Sequence, residues 1–115
     1  YAYYELGESL KALEMYYIGL DVERQVLPWA SIEIVITLLN IARIYQDERR
    51  LDEALEYYTQ SLDIQRTIDN EDMLLREATT LANIASIQDR LQNYDEAIDA
   101  FEESLAIRIQ AIGKH

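Results

Sequence analysis

Cysteine is absent from the 115 residues, which excludes disulfides and thiolate metal sites and fits a reducing, cytoplasmic setting. Proline occurs once and glycine three times, so irregular loops are few and regular structure dominates. Lysine is confined to Lys11 and Lys114, and histidine to His115. Ten Lys and Arg against 22 Asp and Glu leave a formal charge of −12, which opposes approach to nucleic-acid phosphates or anionic lipid. This acidity either solvates helix faces or recruits a basic partner. No apolar run approaches the roughly 18 residues that a membrane span needs, so membrane insertion is not expected. Nor is an enzyme expected: there is no thiol nucleophile, no zinc-spaced histidine pair and no phosphate-binding glycine loop. No metal or other cofactor is implied.

What is present is a repeat. Thr37-Leu38-x-Asn40-Ile41-Ala42-x-Ile44 returns 43 residues later as Thr80-Leu81-x-Asn83-Ile84-Ala85-x-Ile87. Asp52-Glu53-Ala54 becomes Asp95-Glu96-Ala97, and Ser61-Leu62-x-Ile64 becomes Ser104-Leu105-x-Ile107, at the same offset. A fixed period of this length marks an array of stacked supersecondary units. Apolar residues within each copy follow helical spacing: Leu38, Ile41, Ala42 and Tyr45, then Ala54, Tyr58, Ser61 and Leu62. The second copy runs Leu81, Ile84, Ala85 and Gln88, then Ala97, Phe101, Ser104 and Leu105. Polar breaks at 46–50 and 89–93 separate the two stripes, so each copy is predicted to be two antiparallel helices joined by a tight turn.

Helix-end chemistry agrees with these boundaries. Asn93 with Glu96 has the spacing of a capping box, Ser31 and Asn70 are candidate caps for the longer first helices, and Pro28 marks a break. Asp52-Glu53 and Asp95-Glu96 put negative charge in first turns, where the helix dipole favours it, so their recurrence reads as helix-start chemistry rather than catalysis. Arg24, Arg66 and Arg108 lie towards the opposite ends. A partial third copy opens the chain: at an offset of 42, Ala12-Leu13-Glu14 pairs with Ala54-Leu55-Glu56 and Tyr16 with Tyr58. The expected organisation is one array over 1–115, with a partial repeat at 1–27 and repeats at 28–69 and 70–115, as a piece of a longer array.

The ordered set Leu38, Ile41-Ala42, Tyr45, Leu51, Ala54, Tyr58, Ser61 and its second copy resemble the tetratricopeptide repeat (TPR) family. The period near 42, the Thr-Leu-x-Asn segments and the Leu105-x-Ile107-Arg108 to Gly113-x-His115 ending look most like repeats of the kinesin light chain type. The resemblance implies an all-α, right-handed superhelical solenoid of antiparallel helix pairs. The chain departs from the family pattern in its turns: the turn glycine survives only as Gly7, with Arg49 and Gln92 at the equivalent places. Ala42 and Ala85 are expected where the two helices of a repeat cross, and Ala12, Ala54 and Ala97 where adjacent repeats meet.

In such an array the first helices line a concave face. Residues expected to point into it are Ile36, Leu39, Asn40, Arg43, Gln46 and Asp47, with counterparts Thr79, Ala82, Asn83, Ser86, Asp89 and Arg90. An amide both donates and accepts, which suits the backbone of an extended peptide. The family commonly holds peptide backbone with asparagine at the places matched by Asn40 and Asn83, so the resemblance implies that role here. The alternative is that each amide bonds within its own repeat or faces solvent. Arg43 and Arg90 either meet acidic ligand residues or pair locally with Asp47 and Asp89. Tyr16, Tyr45, Tyr58 and Tyr94 are expected in the core, and Tyr17 and Tyr57 are less constrained. Trp29 is either a plug between repeats or an exposed anchor. The family's lysine clamp for a terminal carboxylate is not expected, since neither lysine lies on a groove helix. The predicted function is a non-enzymatic scaffold that binds an extended peptide or helix of a partner protein. The alternative is a structural segment that contacts neighbours, including further copies, through its convex side and apolar ends: Tyr1, Tyr3 and Tyr4 at one, Ile107, Ile109 and Ile112 at the other.

Overall fold

The computed structural model describes residues 2–113, with side chains from Gly7 onward. Five helices follow in order: α1 (Ala2–Val26), α2 (Ile32–Asp47), α3 (Leu51–Gln65), α4 (Glu71–Arg90) and α5 (Tyr94–Gly113). No strand occurs among the described residues, so the fold is all-α. The backbone forms two compact units, residues 1–61 and 62–115, and the division falls within α3.

In the first unit the apolar spacing of α2 becomes one buried face: Ile34, Val35, Leu38, Ile41, Ala42 and Tyr45. Ala54 and Tyr58 of α3 and Leu13 and Leu20 of α1 are buried as well. Polar groups inside are paired, as burial requires. Ser61 Oγ donates to the Val35 carbonyl (3.3 Å), the Tyr58 hydroxyl to Gln46 Oε1 (2.7 Å), and Thr37 Oγ1 to Glu23 Oε1 (2.7 Å). Tyr17 and Tyr57, unassigned from sequence, join Tyr45 in an aromatic cluster. The Tyr45 and Tyr57 rings stack at 5.8 Å, Tyr17 tilts against Tyr57 at 6.1 Å, and the Tyr17 and Tyr45 hydroxyls are hydrogen-bonded. Burial and these neighbouring phenols push the Tyr17 hydroxyl well above its ordinary pKa, and burial raises Tyr58.

The second unit repeats the scheme. Met73, Ala78, Leu81, Ile84, Ala85 and Ile87 of α4 are buried, as are Ala97, Ile107 and Ala111 of α5 and Leu62 and Ile64 of α3. Ser104 Oγ donates to the Ala78 carbonyl (2.7 Å), the counterpart of Ser61 on Val35. Gln65 Nε2 donates to Thr80 Oγ1 (3.0 Å), as Thr37 meets Glu23 in the first unit. Arg66 reaches Glu103 at 2.6 Å and Glu77 at 3.5 Å. Arg66 and Glu103 are close to half exposed, so that pair contributes no more than about 1 kcal/mol.

The two turns share one geometry. Arg50 N–H bonds the Tyr45 carbonyl and Arg49 N–H that of Gln46; Asn93 bonds Gln88 and Gln92 bonds Asp89 in the same way. These 6→1 and 5→2 bonds form a Schellman cap, which places its penultimate residue in the left-handed region. Arg49 (φ 61°) and Gln92 (φ 66°) occupy it without being glycine. A non-glycine residue there costs roughly 1–2 kcal/mol, partly offset by the greater unfolded-state freedom of glycine. Arg49→Gly and Gln92→Gly are each expected to stabilise the fold by about 0.5–1 kcal/mol, read as a raised urea midpoint. Unchanged or lowered midpoints would contradict the cap assignment.

Several sequence expectations are corrected. Gly7 does not sit in a turn: α1 runs unbroken through it, so the opening segment is one helix. Tyr94, Phe101 and Leu105 are exposed rather than core, because in the described residues no element covers that side of α5. Ile107 is buried, not part of an apolar end, since it faces inward one turn after Ser104. Trp29 is 62% exposed, which removes the plug reading. Ser31 occupies the cap position of α2 but turns its hydroxyl to Glu33 instead of to a backbone N–H, which holds the Glu33 carboxyl below its usual range. Asn70 caps as expected, accepting from Met73 N–H at 2.7 Å. The Asn93 amide donates to Gln88 Oε1 (2.8 Å). Tyr45 and Tyr58 are buried and Tyr16 partly so. Tyr1, Tyr3, Tyr4, Lys114 and His115 lie outside the residues whose side chains are described.

Candidate functional site

The candidate residues of the first unit share one stripe of α2. Successive residues advance about 100° around a helix, so Ile36, Leu39, Asn40, Arg43 and Asp47 fall within roughly 100° of one another. The buried face formed by Leu38, Ile41, Ala42 and Tyr45 fixes this register. Ile36, Arg43 and Asp47 are exposed, and Leu39 and Asn40 are half-buried. On α4 the corresponding stripe has Thr79 and Arg90 exposed and Asn83 and Ser86 half-buried. The Asn70 cap sets where α4 begins and hence its register.

Hydrogen bonds separate the candidates. Neither Asn40 nor Asn83 makes a side-chain bond to another described residue. Gln46 is different: its carbonyl oxygen is taken by the Tyr58 hydroxyl, which removes it from the free groups of the face. Thr79 returns its hydroxyl to the Leu75 carbonyl at 3.2 Å.

The two cations of these faces are not held by local acids. Ion pairs form instead at Arg50–Glu53, Arg66–Glu77 and Arg66–Glu103. Arg43 instead stands near the Tyr58 phenol, favouring its ionised form and partly opposing the effect of burial. Arg43 and Asp47 therefore follow Asn40 one and two turns along the same stripe of α2, both exposed. Such a surface offers donors, acceptors and apolar contact to an extended chain. Among the described residues no group of three or more His, Cys, Asp or Glu side chains gathers to hold a metal, and no helix is long and apolar enough to cross a membrane.

Sequence reasoning missed one recurring interaction. Thr37 and Thr80, conspicuous only as members of the echo, are buried and bond Glu23 and Gln65. The signal was present: positions 23, 37, 65 and 80 are related by the repeat offsets, and a polar pair kept at equivalent core positions implies a mutual bond.

Comparison with known proteins agrees with this architecture. Residues 33–110 match the sequence model of a family described as Tetratricopeptide repeat. The fold is similar to the crystal structure of BtubC (BKLC) from P. vanneervenii, with a TM-score of 0.78 and 24% identity over 90% of this chain and 41% of that one. It is also similar to the crystal structure of putative kinesin light chain nearly identical TPR-like repeats from Podosopora anserina, with a TM-score of 0.74 and 21% identity over 94% of this chain and 51% of that one. The chain thus spans about half, or less, of the length of either protein. No curated protein sequence matches it.

Proposed function

Because the chain belongs to the tetratricopeptide repeat family, whose repeats generally mediate protein–protein interaction, we propose that it is a non-enzymatic binding module that takes an extended peptide or a helix of a partner protein. The contacting residues in this reading are Asn40, Arg43, Ile36, Leu39 and Asp47 on α2, and Asn83, Thr79, Ser86 and Arg90 on α4. The observation that carries it is the pair Asn40 and Asn83. Both recur at the repeat offset, both are half-buried, and neither amide bonds to another described residue. An amide that grips peptide backbone reads no sequence, so selectivity falls to residues that differ between copies: Ile36 against Thr79, Leu39 against Ala82, and Arg43 against Ser86.

The test begins by selecting peptides from a displayed random 12-residue library against the intact chain. Their affinity is then measured on the Asn40→Ala/Asn83→Ala double variant. Losing one or two net hydrogen bonds at each position is worth about 1–1.5 kcal/mol per bond, so a drop of at least about thirtyfold is expected, with unchanged melting. Equal affinity for wild type and variant would sink the proposal. A second reading, a structural segment that contacts neighbours through its ends, draws on the apolar stripes left exposed on α1 and α5. Concentration-dependent self-association that survives the double substitution would favour it.

A further inference from the structure

The open stripe of α2 changes character along its length. Ile32, Ile36, Leu39, Arg43 and Asp47 lie within about 80° of helical arc. At the start of the helix Ile32 is 44% and Ile36 40% exposed, with Leu39 half-buried beside them. At its end Asp47 joins Glu8, Ser9, Ala12, Ile44 and Glu48 in lining a depression of about 410 Å³ between α1 and α2. The stripe is apolar at one end and acidic at the other.

The packing of the repeats does not require this gradient. The buried face of α2 returns on α4 43 residues later, but the stripe does not: Ile36 becomes Thr79, Leu39 becomes Ala82, Asp47 becomes Arg90 and Glu48 becomes Leu91. These side chains therefore answer to what the first unit meets.

The chemistry of the depression is specific. Its lining holds three carboxylates and no cation, and neither Lys11 nor Arg43 belongs to it. Arg43 stands instead by the Tyr58 phenol. Ser9 Oγ donates to Glu48 Oε1 (2.8 Å), which fixes one of the carboxylates. Ala12 and Ile44, both half-buried, supply the apolar part of the wall. Among the described residues no three acids converge closely enough to hold a metal ion, so a compact cation is a poor match. Spread carboxylates above an apolar wall suit an aliphatic stem with a charged tip, the form of lysine and arginine. A second copy of this chain, at net charge −12, would bring like charge to the same place. From Ile32 to Asp47 the helix rises about 22 Å, which an extended chain covers in about six or seven residues.

We propose that this face selects an extended segment of a partner protein with large apolar residues over Ile32 and Ile36 and a lysine or arginine, about six residues away, entering the depression of Glu8, Asp47 and Glu48. The proposal rests on the peptide-binding reading of α2 and names the chemistry of its partner.

The test runs the 12-residue display selection on the intact chain and on Glu8→Gln/Asp47→Asn, which alters only exposed side chains. The wild type is expected to enrich Lys or Arg, about six residues from a pair of Leu, Ile or aromatic residues, at least about threefold over the starting library. The variant is expected to keep the apolar preference and lose the basic one. A peptide selected by the wild type is expected to bind the variant at least about tenfold more weakly at low salt, with unchanged melting and a gap that closes as salt rises. Ile32→Asn/Ile36→Asn is expected to weaken the same peptide at least about tenfold. Selected peptides without the basic excess, or equal affinity for wild type and Glu8→Gln/Asp47→Asn, overturn the proposal. A selection that returns no peptide overturns it together with the peptide-binding reading. Asn40→Ala/Asn83→Ala separates the two. A peptide weakened by loss of the acids but not of the amides upholds this proposal and sinks the amide grip, and the reverse pattern sinks this proposal alone.

Discussion

Leu38→Ala is expected to destabilise the protein by about 3 kcal/mol, while Leu39→Ala, one residue along, costs about 1 kcal/mol or less. The chemistry of the two changes is identical; the difference is position. Leu38 has no exposed surface and is surrounded by the buried face of α2, whereas Leu39 is half-buried at the edge of the candidate binding stripe. Truncating Leu38 removes the transfer free energy of its side chain and leaves a cavity that rigid helical neighbours close only in part. Leu39 leaves behind surface that water already reaches. A stability of 5–15 kcal/mol is ordinary for a domain, so the Leu38 change removes a large share. Urea unfolding followed by far-UV circular dichroism gives both values from midpoints at constant slope. Equal losses for the two variants would show that the register of α2 is misassigned, and with it the position of Asn40.

The second large effect comes from enlargement. Ala54→Leu is expected to destabilise the protein by about 3 kcal/mol or more and to produce soluble aggregate at raised concentration. Ala54 is completely buried, on the face of α3 that carries Tyr58 one turn later and Ser61 beyond it. Ser61 holds the Val35 carbonyl at 3.3 Å, so α3 cannot move away from α2 without breaking that bond as well as the packing. Overpacking is relieved only by displacing an entire helix, and the Tyr58–Gln46 bond would follow. The comparison is Glu56→Leu on the exposed side of the same helix, which should change stability by less than about 0.5 kcal/mol. A melting temperature for Ala54→Leu equal to that of the wild type would remove Ala54 from the close-packed positions.

Most of the fold was legible because stacking repeats a physical problem at a fixed interval. The buried faces of α2 and α4 follow the echo almost residue for residue, and the three-residue breaks fall where the polar stretches placed them. Reading failed where a residue's environment depends on what lies beyond its own helix pair. Phe101 repeats Tyr58, yet one is exposed and the other buried, and periodicity assigns both to a core. Gly7 repeats the turn position of Arg49, but glycine permits a turn without requiring one, and α1 continues through it. For the candidate residues, helical spacing put Asn40 on the half-buried edge of α2 and Asn83 at the equivalent place on α4. It did not show that Gln46 is taken by Tyr58, because that bond joins residues on different helices.

The two buried threonines have a consequence for how this chain tolerates change. A hydroxyl gives its proton in one orientation and accepts in another, at little cost in rotation. Thr37 donates to the carboxylate of Glu23, whereas Thr80 accepts from the amide of Gln65. One side chain therefore serves as an adaptor between opposite chemistries. The facing position can drift from acid to amide without losing its bond. Replacing threonine by valine would preserve shape and remove this freedom, leaving Glu23 or Gln65 committed to a partner that no longer answers.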